Sequence, residues 1–511
     1  MLGSDTLPPA TRSDPTLAPG IPPSLGLRFW LAAFFLALLL TPGFNHFETP
    51  EATAVEQFVR YGRLSNDDQA ETTFRKGKDG SFYSSHEVGP NLISLPIGYA
   101  ALAAERAGQS FKRTFALLCG FAGAALLATT LLLVVRLAVL AGVAISFAVW
   151  TVPMLLISSQ YLIYGLHISD VSIASTCFVA IALLWIRGSR DRHDPGIAFS
   201  LGLLKGLTVL LKLSHAVFAA VFSALLFWRV IQAGGPRLRT LALYGLGLVP
   251  SAVLSLAWNW VRMGTLFGTM YDGTEHVFDL QYFATGVLGT FLSPGKGLLA
   301  FTPSLLLLVP AVATLKLPAE WKDVRTIAFV SLAITVLRLG PTEAWTSAAG
   351  WGIRYYVPWV CLFAGFGVVA WWKRRQHASW RRTLVLLIAA GVVINLAGVI
   401  TNQHFRTVTC GIEGWTLSGA NGCALRALPA NVARTAGARV PQIEVEQASR
   451  EYNFVSNRLA VWWYSLRAAG VPGAASWAVG LTLVACSAIC FRSTIAMARR
   501  VPALQLREGD H

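Results

Sequence analysis

Charged side chains are scarce in this sequence. Only 13% of the 511 residues are Asp, Glu, Lys or Arg, against 54% hydrophobic, where a water-soluble domain carries about 25% charged residues. That shortage excludes an ordinary soluble domain. Acids are scarcer than bases, with 26 Asp and Glu against 42 Lys and Arg, which leaves a net charge of +16. No basic domain gathers the surplus, so a nucleic-acid partner is not expected. In a membrane protein, excess Lys and Arg hold loops on the cytoplasmic side. Cysteine is also rare, seven in all. Cys119, Cys177, Cys361, Cys486 and Cys490 fall in apolar runs and read as packing residues. Cys410 and Cys423 share a long polar interval, where an oxidising compartment would let them pair and staple the loop.

What the chain has in abundance is apolar runs near the ~20 residues needed to cross a bilayer. They lie at about 28–44, 113–135, 137–157, 168–186, 197–212, 214–230, 240–258, 297–315, 326–340, 355–372, 383–401 and 472–491. The run 91–104 is shorter, about 14 residues, below ordinary spanning length. Residues 1–27, rich in Pro, Ser, Thr and Gly, read as a disordered cytoplasmic tail, with no apolar core at signal-peptide distance.

Charge sets the topology. If 91–104 lies on the membrane surface and the N-terminus is inside, the basic clusters share one side. They are Arg187, Arg190 and Arg192; Arg229, Arg237 and Arg239; Lys316, Lys322 and Arg325; Lys373, Arg374, Arg375, Arg381 and Arg382; and Arg492, Arg499 and Arg500. Arg106, Lys112 and Arg113 fit less well, falling outside. The sequence therefore predicts an all-α polytopic membrane protein of about 12 spans, with both termini inside. The expected organisation is a tail 1–27, a transmembrane catalytic module 28–401 with a first outer loop 45–112, an outer loop 402–470, and a last span with its cytoplasmic tail, 471–511. The intervals from Asn45, from Asn259 and from Asn402, with the link Thr342–Arg354, then face outward together.

Ionisable groups collect in those intervals. Glu48, Glu51 and Glu56 follow the first span in "FNHFETPEATAVEQF". Acids there cap a helix that starts at Thr49-Pro50, or one of them serves as a general base at the membrane boundary. His86 and Glu87 precede the Gly89-Pro90 turn that launches the surface helix. His86 anchors the loop, holds a phosphate, or ligates a metal. His167 and Asp170, three apart, share a face at the start of a span, where an acid is also an ordinary cap. Lys212 stands at another outer boundary, where a lysine also snorkels. Lys296 and Arg354 each directly precede a span. Cations and aromatics converging on one membrane face suit an anionic head group with an apolar tail.

Three segments carry a resemblance. "FLSPGKGLLAFTPSLLL", "WTSAAGWGIRYYVPW" and "DGSFYSSHEVGPNLISLP" resemble, in order and spacing, segments of bacterial membrane glycosyltransferases of the GT-C fold. These are relatives of protein O-mannosyltransferases and aminoarabinose transferases, similar to glycosyltransferase family 39. The resemblance implies a GT-C-like bundle, interfacial helices in the first outer loop, and a polyprenyl phosphate sugar donor. It implies an acidic base after the first span; relatives commonly have Asp there, and here Glu48 is favoured over Glu51. It also implies phosphate ligands, with Arg354 and Lys296 leading and Lys212 and His86 behind them. Asp170, His167 and Glu87 are candidates to orient the acceptor or hold a divalent metal ion. No cofactor is certain. The expected place is the cell membrane, a bacterial inner membrane, with the active site outside and the acceptor a lipid, glycan or protein.

Two other functions compete. A transporter or flippase of a lipid-linked saccharide predicts ionisable groups at mid-membrane and internal repeats; Arg338 is the one in-span charge that stands out. A non-catalytic assembly subunit predicts that Glu48 and Arg354 tolerate substitution.

Overall fold

A computed structural model describes residues 21–41, 49–63, 65–66, 74–84, 87–190, 194–233, 237–267, 279–293, 297–342, 354–400, 461–465 and 471–501. Each of the twelve expected runs coincides with helix. These are α1 (Pro23–Leu40), α4 (Phe111–Leu140), α5 (Ile145–Ile157), α7 (Asp170–Arg190), α8 (Pro195–Leu211), α9 (Ala216–Ala233) and α10 (Arg237–Met263). The set continues with α12 (Leu298–Phe301) and α13 (Leu305–Ala313), which divide one run, then α14 (Ala319–Leu339), α15 (Val357–Arg374), α16 (Ala378–Ile400) and α18 (Gly473–Arg500). Eight helical stretches among the described residues are long and apolar enough to cross a membrane. The chain is a polytopic helical membrane protein.

Between the long helices lie shorter ones: α2 (Thr49–Tyr61), α3 (Val88–Arg106), α6 (Tyr161–Gly165), α11 (Phe283–Leu292) and α17 (Trp462–Ser465). The expected surface segment is α3, 19 residues long, and it is not among the candidate spans. The apolar helix α11 and a small antiparallel sheet were not anticipated from the sequence. The sheet comprises β1 (Ser65–Asn66), β2 (Phe74–Lys76) and β3 (Phe82–Ser84), in the order β1-β3-β2. Ser65 pairs with Tyr83, and Lys76 with Phe82.

α15 is the central helix. It is buried from Val357 to Trp371 without a break, and an all-round apolar helix of this kind belongs inside a bundle. Phe178 of α7, Phe218 of α9 and Trp359 pack ring against ring, with Phe178 and Phe218 stacked at 3.7 Å. Lipid tails are as apolar as leucine, so close packing rather than the hydrophobic effect joins spans. α8 and α10 show this. A Cβ on Gly202 would stand 2.0 Å from the Tyr244 carbonyl oxygen, and one on Gly247 2.3 Å from that of Phe199. Only glycine allows these two backbones to meet.

The two ends of the bundle differ in chemistry. At one end, Arg229 pairs with Asp323, and Arg325 donates to the carbonyls of Val312, Ala313 and Leu315. There Lys373 donates to the Lys316 carbonyl and Arg374 to the Thr314 hydroxyl. These contacts join three of the predicted basic clusters, those of Arg229, of Lys316 and Arg325, and of Lys373 and Arg374. At the opposite end, the Trp462 and Trp463 indoles donate to the Leu38 and Leu39 carbonyls, at 2.6 and 2.9 Å. They add donors to carbonyls at the end of α1, where intrahelical partners run out; the Leu38 carbonyl also accepts from the Thr41 N–H. Asp279 N–H donates to the Pro341 carbonyl at 2.8 Å. The described parts of the polar intervals thus lie at the end away from these basic residues.

Candidate functional site

The polar end is organised first by how its helices begin and stop. Ser169 and Ser172 cap the start of α7 reciprocally: each side-chain oxygen accepts from the other's backbone N–H, at 3.2 and 2.9 Å. The Val171 N–H binds Asp170 Oδ1 at 2.7 Å. Asp170 Oδ2 then reaches Lys212 Nζ in an ion pair. Lys212 follows the last residue of α8 with extended backbone, and there the chain turns through a short 3-10 segment, Leu213–His215. The pair is mostly sheltered, with 12% of the Lys212 side chain and 16% of the Asp170 side chain exposed.

The same ammonium lies 5.0 Å from the centre of the Tyr355 ring. The Arg354 guanidinium carbon stands 5.9 Å from that ring. Two cations from distant parts of the chain therefore share one aromatic platform, each attracted by its negative face. Asp170 offsets the charge of Lys212. Tyr356, the next residue, lies beside Thr290 of α11. That contact brings the segment leading to Lys296 next to the segment of Arg354.

The first loop covers the same end. Gly89, in the first turn of α3, meets the Leu210 carbonyl so closely that a Cβ there would stand 2.6 Å from it. This seats the start of α3, with Glu87 at its N-cap position, against the end of α8 that carries Lys212. Tyr83, Val88, Leu210 and Trp258 form one small core, and the Tyr83 and Trp258 rings meet edge to face at 5.7 Å. Lys78 N–H donates to the Arg262 carbonyl at 2.8 Å. The sheet is thereby fixed to the end of α10. Its turn is closed by Asp79, which accepts from the Tyr83 hydroxyl at 2.7 Å and from the Ser81 N–H at 3.0 Å. The tyrosine hydrogen bond chiefly holds the Asp79 carboxyl below the usual range. α2 docks through Val55 and Val59 onto Ala101, Phe111 and Phe115.

Of the residues singled out in the sequence, Asp170, Lys212 and Arg354 come together. His167 lies three residues before Asp170, with its ring 6.4 Å from that of Tyr164. Glu51 belongs to the first turn of α2. Glu48, His86, Lys296, Cys410 and Cys423 lie outside the described residues. Among the described residues, no three His, Cys, Asp or Glu side chains are gathered as a metal site. Glu87, His167 and Asp170 therefore do not fit a divalent ion by themselves, and Asp170 is engaged by Lys212. His215, near Lys212, is a core residue, fully buried with its ring against Phe178 and Trp359. The five cysteines in the apolar runs are free thiols.

Two polar residues in this half of the molecule escaped the sequence reading. Asn91 is fully buried on α3, and neither amide atom has a partner among the described residues. Its place just after Gly89-Pro90 was the available signal. Lys205 is fully buried within α8, donates to the Ala219 carbonyl at 3.2 Å, and lies 3.2 Å from the centre of the Phe222 ring. It is an in-span lysine more deeply buried than Arg338, which is exposed.

Fold and site together define a helical membrane protein with a charged, aromatic-lined group at one end of its bundle. The chain is similar to the aminoarabinose transferase ArnT from Cupriavidus metallidurans, solved bound to undecaprenyl phosphate (12% identity, TM-score 0.46) and in the apo state (14% identity, TM-score 0.46). Each likeness covers 93% of this chain and 77% of that one. It is also similar to the archaeal oligosaccharyltransferase AglB from Archaeoglobus fulgidus, solved with an inhibitory peptide and a dolichol-phosphate, at 11% identity and a TM-score of 0.44. That likeness covers 75% of this chain and 57% of AglB. No protein-family model matches the chain, and no curated protein matches it.

Proposed function

We propose that this protein is an integral membrane glycosyltransferase. It moves a sugar from a polyprenyl phosphate donor to an acceptor outside the cytoplasm: a lipid, a glycan or a protein. The observation that carries the reading is the shared platform, with Lys212 and Arg354 both against Tyr355 and Asp170 holding Lys212. The described parts of the three sequence segments that resemble GT-C transferases contribute to this end of the bundle, and the opposite end carries the cationic loops expected inside a bacterial inner membrane.

In the step itself, an acceptor oxygen attacks the anomeric carbon. The bond from that carbon to the phosphate oxygen breaks, and the polyprenyl phosphate leaves with the electron pair. Glu48 takes the acceptor proton. Arg354, Lys212 and Lys296 stabilise the charge that develops on the departing phosphate. Asp170 positions Lys212, and Glu87 and His167 stand on the acceptor side. Lys205 is packed as a core residue, buried against the Phe222 ring and donating to the Ala219 carbonyl, which lends the transporter reading no support.

The test is transfer by the purified full chain, offered a panel of radiolabelled polyprenyl phosphate sugars. At least one donor should pass its label to an acceptor. Arg354→Gln should lower the rate about 10²–10³-fold, the usual cost of losing one donor to developing charge. Full activity in Arg354→Gln, or no transfer from any donor, overturns the reading. Full activity in Glu48→Gln overturns the assignment of the base alone.

A further inference from the structure

At the basic end, a hollow of about 740 Å³ opens between α5, α15 and α16. Its wall includes Arg375, Arg381 and Arg382, the rings of Phe147 and Trp371, and Gln376; no acidic residue lines it. Its apolar side is formed by Val385 and Leu386 of α16, which are 47% and 70% exposed. Leu386 and Val393, the latter 67% exposed, are two turns apart on one helix face. The hollow thus runs from cations to an apolar stripe that continues along a span.

Basic residues at this end have an ordinary topological role, and several are already engaged. Arg229 pairs with Asp323, Arg325 with three carbonyls, and Arg374 with Thr314. The hollow differs. Arg381 and Arg382 are exposed, and their guanidinium groups make no hydrogen bond or ion pair with another described residue. Arg375 is held ready: it lies 3.8 Å from the centre of the Trp372 ring and donates to the Trp372 carbonyl at 2.7 Å. Guanidinium forks match phosphate oxygens two at a time.

We propose that this hollow binds the phosphate head group of an anionic phospholipid. Arg375, Arg381 and Arg382 hold the phosphate, and an acyl chain lies along Val385, Leu386 and Val393. The occupant is a lipid because cation and apolar stripe are continuous, and a small anion uses only the first. Basic pockets between spans on the cytoplasmic side are suited to such head groups. The site is at the opposite end from Lys212 and Arg354, so it stands whether or not the transferase reading holds.

The test uses the full chain in detergent, titrated with phosphatidylglycerol, phosphatidylcholine or inorganic phosphate while its melting temperature is followed. Phosphatidylglycerol should raise that temperature, and the other two should leave it unchanged. The triple variant Arg375→Gln, Arg381→Gln, Arg382→Gln should bind phosphatidylglycerol on the order of a hundredfold more weakly, with about tenfold or less lost per cation. Lys322→Gln, a basic substitution outside the hollow, should bind like the unchanged chain. Equal shifts with phosphatidylcholine, an equal shift with phosphate, or undiminished binding by the triple variant each overturn the proposal. Native mass spectrometry of the unchanged protein gives a reading that does not depend on the variant folding. Preferential retention of phosphatidylglycerol over phosphatidylcholine supports the site, and equal retention refutes it.

Discussion

Lys212 and Asp170 form an ion pair across the ends of α8 and α7, and the lysine also covers the ring of Tyr355. The pair is therefore both a brace between two helices and part of a cationic surface. The two roles make different demands. A brace needs charge balance, whereas a phosphate ligand needs the ammonium itself.

A double-mutant cycle separates them. Lys212→Met and Asp170→Asn should each lower stability by about 1–2 kcal/mol, less than the 3–5 kcal/mol for a fully buried pair because this one retains some exposure. Together they should cost less than the sum, since neither charge is left uncompensated. Transfer should not recover in the double variant. Restored transfer would reduce the lysine to a brace. Thermal unfolding in detergent and initial transfer rates provide the two readouts.

How much of this was visible in the sequence follows from which signals survive averaging. A run of about 20 apolar residues is dictated by bilayer thickness, so the eight long spans were legible, while others of the twelve expected runs fall on shorter helices such as α5 and α8. The placing of 91–104 on the surface came from charge alone. Lys205 was not legible, because one lysine barely lowers the hydropathy of a strongly apolar window, though it changes the chemistry of the span. The strands have two or three residues each, too few for an alternating pattern to register. α11 has 10 residues and is shorter than a span, so it was absorbed into a polar interval. The site was legible in part: Asp170, Lys212 and Arg354 were singled out, but their meeting on Tyr355 depends on the way α7, α8 and α15 pack.

The α8–α10 contact should tolerate no side chain. Gly202→Val places atoms where the Tyr244 carbonyl stands, and overpacking of this kind costs about 1–3 kcal/mol. Gly245, on α10, has nothing within 4 Å of where its Cβ would lie. Gly245→Ala should therefore be neutral or gain up to about 1 kcal/mol from helix propensity. Melting temperatures of the two variants in one detergent decide this; a Gly202→Val chain as stable as its parent would show that the helices are not in backbone contact.

The docking of α2 on α3 should depend on pH in one direction. Arg60 donates to Glu56 and to Glu105, at 2.9 and 2.8 Å. Its hydrogen bond chiefly holds the Glu105 carboxyl below the ordinary value of 4.5, and Arg60 is itself raised and charged throughout. A carboxyl lowered by folding contributes stability above its unfolded pKa and loses it as pH falls through the folded one. Amide hydrogen exchange in α2 should therefore be unaffected above about pH 5 and increase, relative to its intrinsic rate, as pH drops below 4.5. In Arg60→Gln that acid-induced loss of protection should largely vanish. Loss of protection on raising the pH instead would contradict the sign.

Asn91 offers a separation of stability from function. It is fully buried, and neither amide atom finds a partner among the described residues. Such a group carries a desolvation cost of about 1–3 kcal/mol that an apolar side chain of similar shape does not. It stands on the first turns of α3, beside the end of α8 that carries Lys212. Asn91→Leu should therefore raise the melting temperature, and if the amide serves the proposed transfer reaction it should also lower transfer at least tenfold. Asn91→Gln, which retains the amide on a longer stem, should lose part of both. A leucine variant that is less stable than its parent would mean the amide is satisfied in the free protein. One that is more stable and fully active would mean that it has no part in the reaction.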